Sequence, residues 1–344
     1  MRDVIDKLDT WREQGEKIAI ATVIETWGSA PRPPGSKLVI SARGGIAGSV
    51  SAGCVEGAVI LEAREVMKQG IPRVLEYGVA DETAWGVGLA CGGTIKIFVE
   101  PGFALNSLYP VMKKHLREKY PFALVSVLKG SHDLIHKKCI VNQQGDVEGD
   151  LIISGQMNKI INKSRAFLSS GKSGIFDLPD GVQLFIEGYP PPPRLIVIGA
   201  VHFSDPLITM ANAAGFDTIL IDPRPAFATA ERFPHVGKIM RAWPHEVLPD
   251  LKIDSSTFVV LLTHDPKIDD PALQLLLRSS VRYIGALGSR KTHQKRVERL
   301  LEKGLTSEEI SRLHAPIGLD LGGETPGEVA ISIMAEIVQE KNNQ

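Results

Sequence analysis

Apolar residues at three- and four-residue spacing predict a helix with one buried face in the first hundred residues. The positions that carry this spacing are Val55, Val59, Ala63, Val66 and Met67. Gly70 and Pro72 supply the signal that ends the helix. Residues 45–56, which lead into the helix, are rich in glycine and serine and include Cys54. We therefore expect Cys54 to lie in the first helical turn.

Short β-branched and apolar runs predict the strands that surround this helix. The predicted strands are 18–25, 36–41, 46–50, 73–77 and 94–100, and a first amphipathic helix covers 3–16. Two glycine-rich loops separate them, one containing Arg32 and one containing Trp85 and Cys91.

The next segment repeats this plan at an offset of 101 residues, at which Arg165 and Gly171 correspond to Arg64 and Gly70. The strand at 182–187 resembles 95–100 at an offset of 87, so the second copy lacks 14 residues in the loop region. It also lacks equivalents of the Arg32 loop and of Cys54. Loops kept in only one copy are expected to be functional rather than structural.

Four consecutive prolines at 190–193 mark a boundary, because such a run favours a stiff spacer and cannot continue a sheet. Beyond it, strands and helices alternate. The predicted strands are 194–199, 218–222, 257–263 and 282–287, and the predicted helices are 204–214, 269–280, 291–303 and 326–341. The fold class is therefore α/β, with an N-terminal α/β region that shows an internal duplication and a C-terminal, Rossmann-like, doubly wound parallel sheet.

This pattern divides the chain into four parts: an N-terminal domain at 1–105, an α/β segment at 106–188, a proline linker at 189–193 and a Rossmann-like domain at 194–344. A net charge of −1 gives no basic field for nucleic acid. Three cysteines, none in a CxxC spacing, argue against a disulfide scaffold and a zinc site. No apolar leader or membrane-length run is visible, which predicts a cytoplasmic protein.

Cys54 is the first candidate for chemistry. At a helix N-terminus, unpaired N–H groups and the helix dipole favour an anion and stabilise a thiolate. The alternative is a tight turn in which the cysteine is a small buried apolar residue. Cys54 and Cys91, on separate glycine-rich loops, are candidates to bind a soft metal or to relay sulfur.

The first turn of the C-terminal domain supplies a second set of candidates. A dinucleotide fingerprint needs three glycines there, and only Gly199 fits, because Val201 and Ser204 occupy the other two positions. Asp222 ends the second predicted strand, where a ribose-binding acid would lie. The fold is thus supported, but ordinary NAD(P) binding is not.

Further candidates lie at the carboxyl ends of predicted parallel strands, where ligands bind in this architecture. Gly288, Ser289 and Arg290 lead into a helix whose N-terminus suits a phosphate, and Arg224 would add a second cation. His202 and His264 are either functional or polar residues that end a strand.

The motifs at 28–32, 48–56 and 91–93 resemble the N-terminal half of the xanthine dehydrogenase accessory (XdhC/CoxI) family. Segments at 222–224, 232–234, 263–265, 283–290 and 315–333 resemble the Rossmann domain of the same family. The resemblance adds Ser51, Gly53 and Glu56 to the candidate cofactor-binding residues. The chain departs from the family at Val201, where the family usually has glycine, and at Ala52.

The resemblance implies a maturation factor for molybdenum hydroxylases rather than a catalyst. Such a protein would bind molybdenum cofactor transiently, assist exchange of an oxo for a sulfido ligand, and help insert the product into an enzyme such as xanthine dehydrogenase. A cysteine desulfurase and a second copy of the chain are further expected partners. The alternatives are an NAD(P)-dependent oxidoreductase and a scaffold with a vestigial Rossmann domain.

Overall fold

The computed structural model describes residues 1–78 and 93–343, and the chain forms two compact units, Met1–Pro191 and the part from Pro192 onward. The division falls within the proline run. Within the described residues, no helix is long and apolar enough to cross a membrane.

The first unit contains two five-stranded antiparallel sheets with the same strand order. The strands of the first sheet are β1 (Ile18–Trp27), β2 (Lys37–Ser41), β3 (Ile46–Gly48), β4 (Arg73–Tyr77) and β5 (Thr94–Pro101). The strands of the second are β6 (Phe122–Lys129), β7 (Lys138–Asn142), β8 (Val147–Gly149), β9 (Ser173–Asp177) and β10 (Gln183–Tyr189). The first sheet has the order β3-β2-β1-β5-β4 and the second β8-β7-β6-β10-β9. The helices are α1 (Ile5–Glu13), α2 (Glu56–Gln69), α3 (Tyr109–Glu118) and α4 (Met157–Ser170).

The predicted offset of 101 residues relates α2 to α4 at both ends. Each of these helices ends at a glycine with positive φ, Gly70 or Gly171, which is the left-handed conformation that favours glycine. The two copies therefore share helix length, helix ending and sheet order.

Alternation along the strands places each sheet between a helix and the other sheet. On β1, Ala19, Ala21 and Val23 pack against α2, whereas Ile20 and Ile24 face the second sheet. The second sheet is arranged in the same way, with its own outer face packed against α4. The small alanines of β1 let α2 approach the sheet closely. The result is four layers in the order helix, sheet, sheet, helix.

A buried ion pair crosses the interface between the two sheets. Lys37 at the start of β2 lies 2.8 Å from Oε1 of Glu187 on β10, and their side chains are 2% and 4% exposed. Lys37 Nζ also donates to Thr22 Oγ1 at 2.9 Å. Burial raises the pKa of Glu187, but the nearby Lys37 ammonium outweighs this and the net pKa is lowered.

A second pair repeats this contact with the copies exchanged. Lys138 at the start of β7 lies 2.8 Å from Glu100 on β5, and its ammonium donates to Ser126 at 2.6 Å. Lys138 stands 101 residues after Lys37, and Glu100 stands 87 residues before Glu187. Each copy therefore gives one lysine and one glutamate to the interface.

We predict that Lys37→Met lowers the free energy of unfolding by about 3–5 kcal/mol, because it leaves the Glu187 carboxylate buried without its cation. The double variant Lys37→Met/Glu187→Gln should recover part of that loss. Urea denaturation measures both values. Arg73→Met is the control, since its partner Glu62 is 37% exposed and such pairs contribute about 0–1 kcal/mol. Equal losses for Lys37→Met and the control would contradict the structural role of the buried pair.

The second unit contains one six-stranded parallel sheet. The strands are β11 (Arg194–Ile198), β12 (Asp217–Ile221), β13 (Lys238–Met240), β14 (Thr257–Leu261), β15 (Tyr283–Ala286) and β16 (Leu313–His314). Their order is β13-β12-β11-β14-β15-β16, which counted within the unit is 3-2-1-4-5-6, that of a dinucleotide-binding fold. The helices are α5 (Ser204–Ala213), α6 (Pro244–Val247), α7 (Pro266–Leu276), α8 (Arg290–Glu302), α9 (Ser307–Ser311) and α10 (Pro326–Asn342).

Separate apolar cores cover the two faces of this sheet. One contains residues of α5 and α10, and the other contains residues of α7, α8 and α9. A sheet buried on both faces explains why its strands are continuous apolar runs. The doubly wound sheet predicted from the sequence is confirmed.

Several predicted boundaries shift by a few residues, and α3, β13 and β16 have no counterpart among the predicted elements. The two missed strands have three and two residues, which is too short for a periodic pattern to appear. The strand predicted at 218–222 ends at Ile221, so Asp222 follows the strand and its side chain is free to serve the turn.

Candidate functional site

Strand register brings the motif-bearing loops of the first copy to one end of the first sheet. Trp27 at the end of β1 pairs with Thr94 at the start of β5, and Thr22 pairs with Lys37 at the start of β2. At the same end, β3 finishes beside the start of β2, and the chain then enters α2. The loops that contain Arg32 and Cys54 therefore leave the sheet on the same side.

Glu56, the first residue of α2, organises the loop that precedes it. Its Oε1 accepts hydrogen bonds from Ser49 Oγ at 2.6 Å and from the Ser51 amide at 2.9 Å. Its Oε2 accepts from Ser51 Oγ and from the Gly53 amide, the latter at 2.8 Å. The Val50 amide adds a fifth contact at 3.2 Å. One carboxylate thus fixes residues 49–53, which accounts for the two serines and the glycine of the motif.

The same contacts keep Glu56 ionised. Burial alone would raise the pKa of its carboxyl, but hydrogen bonds from Ser49 and Ser51 outweigh burial and lower the pKa to about 2. A negative charge therefore already occupies the N-terminal end of α2 at neutral pH. The loop amides that would have been free for an external anion are bonded to Glu56 instead.

The second copy shows what this loop becomes without the carboxylate. Met157 stands 101 residues after Glu56, and its sulfur accepts only a 3.4 Å contact from the Ile153 amide. Around it lie Leu151, which is buried, and Ile152, which is 70% exposed. The polar loop is therefore specific to the first copy.

Cys54 lies two residues before the first helical residue, with Val55 as the N-cap, so its predicted place inside the first turn is wrong. Glu56 draws the loop into consecutive positive φ values at Ala52 and Gly53, which delays the start of the helix. The Cys54 thiol is exposed, whereas Cys139 is buried on β7 and burial raises its pKa to about 12. The expectation of a buried apolar cysteine thus fits Cys139 and not Cys54.

Arg32 and Gly93 border the same end of the sheet. Arg32 is half-buried and 3.7 Å from Asp3, and its Nε is buried without a hydrogen-bond partner. A Cβ at Gly93 would lie 2.8 Å from the Ser29 carbonyl oxygen, so only glycine fits beside the Arg32 loop. Cys91, the other predicted metal ligand, lies outside the described residues. Within the described ranges, no group of three or more His, Cys, Asp or Glu side chains could hold a metal ion.

We predict that Glu56→Gln lowers the free energy of unfolding by about 2–3 kcal/mol, because an amide NH₂ would face the Ser51 and Gly53 amides that now donate to the carboxylate. The pKa of Glu56 is about 2 in the folded protein and near 4.5 otherwise, so its stabilising effect is complete above about pH 5 and is lost as the pH falls toward 2. The difference between variant and wild type should therefore be constant from pH 6 to 8. Glu65→Gln, which removes the same charge from a more C-terminal position on α2, is the control in denaturation experiments. A loss no larger than that of the control would show that the Glu56 contacts do not hold the loop.

The first turn of the Rossmann-like unit is closed by its own side chains. The Ala200 amide donates to Asp222 at 2.7 Å, and the Val201 amide donates to Ser204 Oγ at 3.1 Å. Ser204 Oγ in turn donates to the Gly199 carbonyl at 2.6 Å. Val201 packs against the apolar core. Backbone amides that bind pyrophosphate in a dinucleotide site are thus already bonded within the turn.

Asp222 is fully buried and paired, which argues against its predicted role at a ribose. Arg224 Nε and Nη2 donate to its two oxygens at 2.9 and 2.7 Å. These bonds outweigh burial, so the pKa of Asp222 is lowered. Arg224 is correspondingly neutralised and stacks over Phe227 at 4.2 Å, which argues against its predicted role as a free second cation.

We predict that neither the wild type nor Val201→Gly binds NAD⁺ or NADP⁺ tighter than about 1 mM, which corresponds to a binding free energy of about −4 kcal/mol. The substitution removes a side chain but leaves the Ala200 and Val201 amides bonded to Asp222 and Ser204. Isothermal titration calorimetry measures the affinity. Micromolar binding by the variant would show that the side chain at 201, and not the closed turn, excludes the dinucleotide.

The other half of the same sheet edge carries charged groups that no sequence pattern marks. Arg296 on α8 is 2% exposed and 3.6 Å from Asp269, and its Nε and Nη1 have no hydrogen-bond partner. Burial raises the pKa of Asp269 to about 6. Partial desolvation and the nearby Arg296 lower the pKa of His264, a residue held at a positive φ of 61°. Arg296 lies inside a helix, where sequence gives no sign that its charge is buried.

The remaining predicted residues lie around the start of α8 and the first turn. Ser289 is the N-cap of α8 and accepts from the Thr292 amide at 3.2 Å, and Gly288 has a positive φ of 143°. Arg290 is exposed, as is His202 in the first turn. Their roles stay predictions.

A protein with a duplicated antiparallel unit followed by a Rossmann-like unit is therefore defined by fold and site geometry. Residues 11–78 match the XdhC and CoxI family, and residues 195–337 match the XdhC Rossmann domain. The chain belongs to the XdhC and CoxI family.

Named relatives match over most of the chain. A Bacillus subtilis protein named as a probable component of xanthine dehydrogenase is 28% identical over 96% of both chains. The molybdenum cofactor insertion chaperone PaoD of Escherichia coli is 26% identical over 96% of this chain and 85% of its own length. A crystal structure described as a xanthine dehydrogenase from Bacillus halodurans superposes with a TM-score of 0.81 at 28% identity, over 99% of this chain and 96% of the other.

Proposed function

We propose that this protein is a maturation factor that holds molybdenum cofactor and delivers it to a molybdenum hydroxylase of the xanthine dehydrogenase type. The observation that carries the proposal is the loop fixed by Glu56, which presents the exposed Cys54 in the first copy and has no equivalent in the second. Similarity to a molybdenum cofactor insertion chaperone and to a protein named as part of a xanthine dehydrogenase supports the same role.

The side chains at this end of the first sheet fit such a ligand. Molybdenum in a dithiolene is a soft centre, and a thiol is a soft ligand, so Cys54 is the residue that would approach it. The cofactor also carries a phosphate, and Arg32, with its unpartnered Nε, is a suitable donor to an anion. When bound, the cofactor would supply the redox-active metal that the client enzyme needs.

The residues of this chain would hold and release the cofactor. Glu56 keeps the loop in one conformation, so that Cys54 is presented without the cost of ordering a flexible segment. Its charge also opposes a second anion at the N-terminal end of α2 and thereby directs the phosphate toward Arg32. Sulfuration of the cofactor, a cysteine desulfurase partner, self-association and a cytoplasmic location stay predictions.

The alternative of an NAD(P)-dependent oxidoreductase rests on the fold of the second unit alone. The closed first turn and the paired Asp222 argue against it. A scaffold without a ligand would not need an exposed cysteine on a loop held by five hydrogen bonds to one carboxylate.

We predict that Cys54→Ser lowers the molybdenum cofactor retained by the purified protein at least tenfold, because serine offers the metal a hard oxygen in place of a soft sulfur. Cofactor content is measured by fluorescence after oxidation of the pterin and by metal analysis. Cys139→Ser is the matched control, since Cys139 is buried on β7 and lies away from the loop. Folding of both variants is checked by thermal denaturation.

Three results would contradict the proposal. One is a wild-type protein that retains no cofactor after expression in cells that make it. The second is equal retention by Cys54→Ser and wild type. The third is retention that falls equally in both cysteine variants while both remain folded.

A further inference from the structure

A cavity of about 520 Å³ lies in the first unit at the end of α2 that is remote from Cys54. It is enclosed by the end of α1, the start of β1, the end of α2 and the helical turn Gly102–Leu105. Because α2 has 14 residues, the cavity is about 20 Å from the Cys54 loop. Its volume is within the range of small-molecule sites. It is therefore separate from the site proposed above for the cofactor.

Three positive side chains line this cavity without a carboxylate partner in the described parts of the chain. They are Arg12, Lys17 and Lys68. Arg12 is fixed by stacking over the Tyr109 ring at 4.1 Å. Two lysines and one held guanidinium on one cavity wall create a local positive potential, although the whole chain is close to neutral. Such a wall favours an anionic group, and phosphate suits both cation types.

The cavity also contains a buried carboxylate that lacks a donor. The Glu16 side chain is only 5% exposed, and its Oε2 has no hydrogen-bond partner. Its other oxygen lies 3.6 Å from Arg43, whose side chain is 74% exposed. A buried acceptor without a donor is costly, so a ligand that brings an N–H group to Glu16 would gain that hydrogen bond.

An exposed ring completes the lining. Phe103 is 53% exposed, although it is large and apolar, and the neighbouring ring of His136 at 5.1 Å holds it in place. Exposed aromatic side chains provide stacking surfaces for flat heterocycles. Asn106 beside it offers both a donor and an acceptor.

We propose that this cavity binds a nucleotide whose base carries an exocyclic amino group. The base stacks on Phe103, the amino group donates to Glu16 Oε2, and the phosphate lies against Lys17 and Lys68 with Arg12 behind them. An inorganic anion would satisfy the lysines but not Glu16 or Phe103. A neutral heterocycle would leave the cations unused. The combination of groups therefore selects a ligand that has both an anionic end and a flat donor-bearing end.

Isothermal titration of the full chain with AMP and IMP tests the proposal, because these nucleotides differ mainly in an amino against a carbonyl group on the base. We expect the wild type to bind AMP at least tenfold tighter than IMP, since the IMP carbonyl would face the Glu16 carboxylate. Glu16→Gln should weaken AMP about tenfold and strengthen IMP, because the amide NH₂ can donate to the carbonyl. Lys68→Ala should weaken both nucleotides about tenfold, with the effect reduced at high salt.

Matched controls separate these effects from changes in folding or overall charge. Glu13→Gln removes a carboxylate from the exposed end of α1 outside the cavity, and Lys114→Ala removes an exposed lysine from α3. Both should bind AMP as the wild type does. Thermal denaturation should show Glu16→Gln to be folded, because its Oε2 makes no hydrogen bond that the variant would lose.

The proposal is overturned if the wild type binds neither nucleotide at 1 mM, if AMP and IMP bind equally, or if inorganic phosphate binds as tightly as AMP. It is also overturned if Glu16→Gln and Glu13→Gln have the same AMP affinity. None of these outcomes depends on molybdenum cofactor. The nucleotide site and the proposed maturation role can therefore fail independently.

Discussion

Two buried lysine–glutamate pairs fix the arrangement on which the rest of the first unit depends. Each pair joins the start of a second strand in one copy to the last strand of the other copy, so neither sheet can slide without separating two charges in a low-dielectric interior. Lys37 also lies beside Gly48, whose added Cβ would be only 2.2 Å from the Lys37 carbonyl oxygen, and the Cys54 loop begins directly after Gly48. The anchor between the sheets is therefore also the support of the candidate site.

The duplication provides an internal comparison that isolates function from fold. Helix length, helix endings, sheet order and the crossed ion pairs occur in both copies, which shows that the fold requires them. The polar loop held by Glu56 occurs once, and in the other copy Met157 and exposed or buried aliphatic residues take its place. Since the second copy folds without such a loop, neither packing nor topology accounts for the hydrogen-bonded carboxylate and exposed thiol of the first, and a role outside stability does.

Patterns in the sequence predicted what local periodicity can encode. The strand β4 and most helices of the second unit were within a few residues of their observed bounds, and the offset of 101 predicted the correspondence of α2 with α4. Contacts between distant residues were beyond that reach. Nothing local marks Lys37 as the partner of Glu187 or shows that Arg296 is buried. Glu56 was selected by family resemblance alone, because its five hydrogen bonds depend on backbone conformation and not on residue type.

The two places where sequence suggested an anion site share one physical feature. In the first unit Glu56 accepts the loop amides, and in the second unit Asp222 and Ser204 engage the amides of the first turn. A phosphate near either place is thus left with side-chain cations such as Arg32 and Arg290 in place of a fixed backbone cradle. Cations on flexible side chains lose entropy on binding and are screened by salt, so they bind an anion less tightly than preorganised amides do. Weaker and readily reversible binding is what a protein needs when it must release its ligand to another protein.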